Sequence, residues 1–189
     1  MIQAIETRYK GYRFRSRLEA RWAVFFDAMK FRWEYEPEGF VTAAGPYLPD
    51  FRVWTPQAQP IWYEIKPEGT EGNDKFEAFE RADESMSSRY SLLAGDPFKV
   101  CIEGDLNMCP RCGFIHEPAY GIGTTGTENE IYYGCEPCDS ETPSGGYHPA
   151  EPGVLGIDVS PHKGSLITDG VVFMGLIYIA ATTARSYRF

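Results

Sequence analysis

Large apolar side chains recur every three or four positions between Ser16 and Met29, and this spacing predicts an amphipathic helix. The stripe comprises Leu18, Trp22, Phe25, Phe26 and Met29. A second stripe follows Asn73 and Asp74, either of which can cap a helix. Its predicted buried residues are Phe76, Phe79, Ala82 and Met86. The chain should therefore contain at least two helices that each pack one face against a core.

Short segments rich in aromatic and β-branched residues predict strands around these helices. Residues 31–35 and 40–41 should form a meander, and residues 47–54 and 61–66 should pair as a hairpin across a proline-containing loop. Residues 90–94 read as a buried strand. The order of helix, strands, helix and strand predicts an α/β or α+β fold with a mixed central sheet flanked by helices.

The composition changes near residue 100, which suggests a core over residues 1–100 followed by an insertion over residues 101–152. The insertion is rich in Gly, Pro, Cys, Thr and Glu and lacks a helical period, so it needs a staple to fold. Residues 153–189 contain a strand candidate at 154–157 and end in a helix-like segment. We expect this last segment to return to the core.

Two sequence features bear on the cellular location. The apolar run over residues 171–181 is shorter than the roughly 20 residues that span a membrane. The first ten residues are mixed and polar and lack a secretory pattern. We therefore expect a cytoplasmic protein without membrane contact, located in the host cytoplasm if it is encoded by a phage.

Four of the five cysteines form two C-x-x-C pairs, which predict a structural zinc ribbon. The pairs are Cys109 with Cys112 and Cys135 with Cys138. Four thiolates can surround Zn²⁺ tetrahedrally, and the metal would supply folding energy that this segment lacks. A redox dithiol is the alternative for either pair. The fifth cysteine, Cys101, is expected to be a small buried apolar residue.

Two carboxylates and a lysine are expected to meet on one face of the predicted hairpin. Glu64 and Lys66 lie two residues apart and therefore share a strand face. Asp50 precedes them in the partner strand, where pairing would set it beside Glu64. Paired carboxylates suit Mg²⁺, which leaves positions for a phosphate oxygen and an attacking water. Lys66 can act as a base or as a fixed hydrogen-bond donor.

The net charge of −9 argues against a protein that coats nucleic acid, because such binding depends on many basic side chains. Six of the 18 basic residues nevertheless lie between residues 8 and 21, interleaved with aromatic residues. This stretch predicts a local nucleic-acid contact through Arg13, Arg15 and Arg17. A solvated helix face is the alternative.

Four segments of residues 8–95 resemble motifs of the PD-(D/E)xK nuclease superfamily. They are Arg15-Ser-Arg-Leu-Glu19-Ala-Arg-Trp-Ala23, Tyr35-Glu-Pro-Glu38, Tyr47-Leu-Pro-Asp50-Phe51 and Tyr63-Glu64-Ile65-Lys66-Pro67. The subtype they resemble is small and encoded by phages or bacteria. The resemblance implies a restriction-endonuclease-like core, with the zinc ribbon as an insertion.

The resemblance also implies roles for individual residues. Asp50, Glu64 and the backbone carbonyl of Ile65 would bind catalytic Mg²⁺ or Mn²⁺, and Lys66 would assist the attacking water. Glu19, on the first helix, would join the metal site. Ser16 and Glu19 also fit a capping box, which is the alternative role for this glutamate.

Together these features predict a metal-dependent DNA endonuclease that serves repair, recombination or phage DNA processing. Its DNA substrate would include branched or single-stranded forms, and double-strand cleavage would require a homodimer or two binding events. The alternative is a catalytically silent nucleic-acid-binding or adaptor protein that uses its zinc ribbon for recognition. A purely structural zinc protein would leave the carboxylates and Lys66 unexplained.

Overall fold

The structure, a computed structural model, describes ten segments of the chain. They are residues 4–55, 60–70, 72, 74–82, 90–103, 107–108, 114–116, 119–125, 128–134 and 166–189.

The described chain opens with a two-stranded antiparallel hairpin, β1 (Thr7–Tyr9) and β2 (Tyr12–Phe14). Lys10 and Gly11 form its turn with φ of 48° and 86°, and positive φ at both central positions is typical of a type I′ hairpin turn. The basic composition of this segment did not predict a hairpin, whereas the Lys-Gly pair between alternating aromatic residues is a signal for one.

Helix α1 (Arg17–Ala28) confirms the first predicted helix. Ser16 caps it, since its extended backbone ends the preceding segment and its hydroxyl accepts a hydrogen bond from the Glu19 N–H at 3.1 Å. The predicted apolar stripe is buried at Trp22, Phe25 and Phe26. Leu18 and Met29 are partly buried against the same core.

Four strands form the central sheet in the order β3 (Arg32–Tyr35), β6 (Phe51–Trp54), β7 (Pro60–Lys66) and β8 (Tyr90–Ala94). β6 pairs antiparallel with both β3 and β7, whereas β7 and β8 run parallel. The sheet is therefore mixed, as predicted, and the hairpin between β6 and β7 is confirmed.

The single strand predicted over residues 47–54 is wrong. Two strands occupy this region, because β5 (Gly45–Tyr47) pairs with β4 (Phe40–Thr42) while β6 begins only at Phe51. Pro49 lies between them and has no N–H to continue a ladder. The predicted meander is also wrong, since β3 pairs with β6 rather than with β4.

The two faces of the sheet pack against different elements. One face contributes Phe51, Val53, Ile61, Tyr63 and Ile65 to the main core with α1. The opposite face carries an aromatic cluster with α2 (Asp74–Ala82), and its buried members are Tyr47, Trp62, Phe76, Phe79 and Tyr90. These two layers confirm a mixed sheet flanked by helices.

The predicted buried face of α2 is only partly correct. Phe76 and Phe79 are buried as expected, but Ala82 is exposed because it ends the helix beyond the aromatic cluster. Asn73 and Met86 lie outside the described residues.

The last helix, α3 (Leu166–Ser186), confirms the predicted return to the core. It packs against α1 and buries Ile177, Ala180, Ala181 and Ala184. On its other side Leu176, Tyr178 and Ile179 are exposed. In the described segments, no helix is both long enough and apolar enough to span a membrane.

Residues beyond the predicted boundary at residue 100 also enter the main core. Cys101 lies in a π-helical turn (Lys99–Glu103), where it is buried and free, as predicted for this cysteine. Phe114 and Ile115 are buried in the same cluster, and the Ile115 N–H donates to the Tyr63 hydroxyl at 3.2 Å.

The remaining described elements are two antiparallel strand pairs. The strand β9 (Asn107–Met108) pairs with β10 (Ile115–His116), and β11 (Ala119–Thr125) pairs with β12 (Glu128–Gly134). The predicted zinc ligands Cys109, Cys112, Cys135 and Cys138, and the strand candidate at 154–157, lie outside the described residues.

Candidate functional site

Asp50, Glu64 and Lys66 meet where β6 begins and β7 ends. Asp50 directly precedes β6, and its Oδ2 accepts a hydrogen bond from the Ile65 N–H at 2.8 Å. This bond ties the aspartate to the residue between Glu64 and Lys66. The hairpin thus brings together the three side chains that the sequence analysis singled out.

The Asp50 carboxylate is buried beside a second carboxylate. Its burial, followed by the negative charge of Glu64, raises its pKa to about 7, while the Ile65 N–H and Arg15 act in the opposite direction. Two carboxylates that repel each other at low exposure form a site that favours a bound cation.

Glu64 is buried and contacted on both carboxylate oxygens. The Tyr47 hydroxyl donates to Oε2 at 2.6 Å, and the Lys66 ammonium pairs with Oε1. Burial and the charge of Glu64 raise the pKa of Tyr47 above its ordinary value, so the tyrosine remains a hydrogen-bond donor. Lys66 is partly exposed and therefore lies between the buried carboxylates and solvent.

Arg15 makes an ion pair with Asp50 that the sequence analysis did not predict. One guanidinium nitrogen, Nη2, contacts Asp50 Oδ1, and Nε lies 2.7 Å from Glu36 Oε1. Burial alone would lower the pKa of Arg15, but hydrogen bonding to Tyr35 and the charges of Asp50 and Glu36 raise it overall. The two partners are 35 residues apart, so no local spacing could have revealed the pair.

Glu19 contacts the cap residue Ser16, as in the capping box that was its alternative role, but the backbone amide that it accepts from is that of Arg15. Its Oε1 accepts from the Ser16 hydroxyl at 2.8 Å, and its Oε2 accepts from the Arg15 N–H at 3.2 Å and from the Tyr35 hydroxyl. The negative charge of Glu19 also raises the pKa of Asp50. Glu19 therefore contacts Arg15 and Tyr35 directly and affects Asp50 through its negative charge.

The three predicted nucleic-acid contacts lie in different places. Arg15 reaches Asp50, as described above. Arg13 is exposed on β2 and pairs with Glu6. Arg17 is exposed at the first residue of α1.

The donors at this site match the requirements of a magnesium ion. Asp50 and Glu64 supply hard oxygen atoms, and Mg²⁺ in proteins often takes only one or two carboxylates and keeps several waters. The Lys66 carbonyl accepts from the Gly95 N–H at 2.9 Å on the β8 side. Because successive peptide groups alternate in a strand, the Ile65 carbonyl points to the opposite side, where Asp50 lies. The residues therefore fit the group that the resemblance implies.

Among the described residues, no three or more His, Cys, Asp or Glu side chains lie together in an arrangement that could hold a metal ion. The pair formed by Asp50 and Glu64 is smaller than such a group. Its metal-binding capacity would depend on the Ile65 carbonyl and on water.

Neither the family models, nor the curated proteins, nor the solved structures contain a match to this chain. We therefore infer the function from the geometry and chemistry of the site.

Proposed function

We propose that this chain is a metal-dependent DNA endonuclease of the PD-(D/E)xK type, which hydrolyses phosphodiester bonds. The observation that carries the proposal is the hydrogen bond from the Ile65 N–H to Asp50 Oδ2. This bond holds Asp50 against the segment Glu64-Ile65-Lys66. A solvated strand face would not require this buried arrangement of two carboxylates.

Each side chain of the site has a role in this proposal. Asp50, Glu64 and the Ile65 carbonyl would hold the ion. Bound Mg²⁺ would activate water and stabilise the negative charge that develops on the phosphate. Tyr47 donates to Glu64 through its hydroxyl and would keep that carboxylate oriented, while Lys66, which pairs with Glu64, would donate to the reacting phosphate or orient the water.

The arrangement of elements supports a restriction-endonuclease-like core. Glu64 and Lys66 lie on β7, the third of the four strands in the mixed sheet. Helix α1, which carries Glu19, packs against the other face of that sheet. A fold by itself does not define an activity, so we infer the activity from the site residues.

The zinc ribbon is also part of the proposal. Cys109 directly follows β9, and Cys135 directly follows β12. Each C-x-x-C pair thus begins where a described strand ends, which is a place where a knuckle between strands can form. The zinc would be structural, and the catalytic metal would be a separate ion.

A cleavage assay tests the nuclease proposal. Plasmid, linear duplex, single-stranded and branched DNA are incubated with Mg²⁺ or Mn²⁺ and the wild-type protein, Glu64→Gln or Lys66→Ala. We expect wild-type cleavage of at least one substrate and a loss of about 100-fold or more in each variant. Glu64→Gln weakens a ligand of the metal, and Lys66→Ala removes the group that would donate to the phosphate or orient the water.

Glu68→Gln is the matched control, since this glutamate lies two residues beyond Lys66 but is exposed. Its cleavage rate should equal that of the wild type. Binding of DNA without cleavage by the folded wild-type protein would contradict the proposal and favour the silent nucleic-acid-binding alternative. Equal cleavage by all four proteins would point to a contaminating nuclease.

A further inference from the structure

We propose that Arg15 is an internal counter-cation of the metal site, which a divalent ion must displace from Asp50 before it can bind. This inference rests on the proposed function, because it concerns the same carboxylates. The inference gives Arg15 control over metal occupancy, a role that the resemblance to the PD-(D/E)xK superfamily did not assign to it.

The contacts of the Asp50 carboxylate define the competition. Its Oδ2 accepts from the Ile65 N–H, a backbone group that the sheet holds in place. Its Oδ1 is taken by the Arg15 guanidinium. A metal ion that binds Asp50 through Oδ1 therefore meets a positive group already in contact with that oxygen.

Arg15 is the partner that can move. Its side chain is 58% exposed, whereas that of Asp50 is only 2% exposed. The guanidinium also has a second anionic partner, Glu36, at 2.7 Å and lies near the Tyr35 hydroxyl at 3.4 Å. It can leave Asp50 and keep its contact with Glu36, so displacement does not require an unpaired cation in a buried place.

The displaced guanidinium would remain at the entrance of the site. Arginine binds phosphate oxygens through charge-assisted hydrogen bonds, often in pairs. A phosphate group of the substrate would therefore draw Arg15 away from Asp50 and open that oxygen to the metal. Metal and DNA should then bind more tightly together than separately.

The structural contacts of Arg15 are made by its backbone, whereas the proposed role belongs to its side chain. Its N–H donates to Glu19 Oε2 and to the Tyr35 hydroxyl, and we expect both bonds to remain when the side chain is replaced, because they belong to the backbone. A substitution of Arg15 thus removes the ion pair with Asp50 while leaving the start of α1 intact.

Manganese binding by the full chain, measured by electron paramagnetic resonance of free Mn²⁺ without DNA, tests the inference. The variants are Arg15→Gln, Arg15→Lys, Arg8→Gln and Asp50→Asn. Arg15→Gln should bind Mn²⁺ about three- to ten-fold more tightly than the wild type, since a partly exposed ion pair no longer competes. Asp50→Asn identifies binding at this site, because it should abolish that binding and leave the signal of free Mn²⁺ undiminished.

Arg8→Gln is the matched control, because it removes the same charge from an exposed position on β1. Its Mn²⁺ affinity should be unchanged, since salt screens exposed charges that do not contact the site. Arg15→Lys retains a cation with fewer donors and should show a smaller gain in the same direction. It replaces Arg15→Gln as the deciding variant if circular dichroism shows that the latter is unfolded.

Two negative results have different meanings. Equal or weaker Mn²⁺ binding by folded Arg15 variants, with binding still abolished in Asp50→Asn, would overturn the counter-cation role and leave the nuclease proposal standing. Absence of any binding that depends on Asp50 would overturn both.

Discussion

At the scale of single residues, the site places negative charge where water is largely excluded. Asp50 is buried next to Glu64, and the resulting shift raises its pKa from 3.8 to about 7. A raised pKa means that the folded protein binds this proton more tightly than the unfolded chain does. The protonated carboxyl group of Asp50 therefore contributes stability that is fully present below about pH 4 and is lost as the pH rises through about 7.

Replacing Asp50 with asparagine should consequently stabilise the metal-free protein at neutral and higher pH. An asparagine can still accept from the Ile65 N–H but carries no charge beside Glu64. We expect Asp50→Asn to raise the melting temperature by about 3–6 °C at pH 8. The difference should shrink toward pH 5, where the wild-type carboxyl group is protonated.

Thermal denaturation followed by circular dichroism, without added divalent metal, measures this difference. Glu68→Gln is the control, because it neutralises an exposed carboxylate. A melting temperature that falls in Asp50→Asn at both pH values would show that the negative charge stabilises the fold through Arg15.

At the scale of elements, the start of α1 connects helix capping to the site. Ser16 accepts from the Glu19 N–H and donates to its carboxylate, while Glu19 in turn accepts from the Arg15 N–H and the Tyr35 hydroxyl. The spacing of Ser16 and Glu19 predicted the first of these contacts. The contact with Tyr35 depends on how β3 packs against the helix.

Removing the cap should destabilise the protein and should also remove the hydrogen bond from the Ser16 hydroxyl to Glu19. We expect Ser16→Ala to lower the free energy of unfolding by about 1 kcal/mol, the usual cost of losing a capping hydroxyl. Urea denaturation measures the change. Ser16→Thr keeps a hydroxyl and should recover most of the loss, and an equal loss in both variants would argue against the cap as its cause.

The strands show where local patterns stop being sufficient. Alternation correctly placed Trp62, Glu64 and Lys66 on one face of β7, because the direction of successive side chains follows from the strand itself. The same reasoning joined residues 47–54 into one strand. The break at Pro49 matters for the site, since it leaves Asp50 outside the ladder with its carboxylate turned to the Ile65 N–H.

At the scale of the whole molecule, aromatic packing on both faces of the sheet holds the site in place. Phe26 lies against Phe51 and Tyr63 on the α1 side, with ring centroids 5.4 Å and 5.6 Å apart, while Phe79 packs against Tyr47 and Trp62 on the α2 side. Phe51 follows Asp50, and Tyr63 precedes Glu64. Aromatic packing on the α1 side and on the α2 side thus fixes the positions of β6 and β7 next to the two carboxylates.

Metal content tests the predicted zinc ribbon at the same scale. Protein purified without chelator should contain about one zinc per chain by mass spectrometry, as four thiolates bind one ion. Cys109→Ser and Cys135→Ser should each reduce zinc to less than half of that value. Cys101→Ala is the control, because this buried thiol lies in the main core and should not affect zinc.

Less than half occupancy in the wild-type protein would favour the redox dithiol alternative. Equal zinc in the wild-type, Cys109→Ser and Cys135→Ser proteins would place the metal elsewhere.

The sequence by itself determined what depends on neighbours within a few positions. This includes α1 with its cap, the shared face of Glu64 and Lys66, and the hairpin between β6 and β7. Helical periodicity, capping and alternation act over short distances along the chain, so they can be read without a fold.

Only the tertiary structure decided the contacts between distant residues. Arg15 and Asp50 are 35 residues apart, and Tyr47 and Glu64 are 17 apart. Packing of the sheet and helices brings such pairs together. The burial that results then determines whether their charges stabilise or destabilise the folded protein. The ion pair that we propose to control metal access belongs to this second group, because it exists only when the helix and the sheet are both in place.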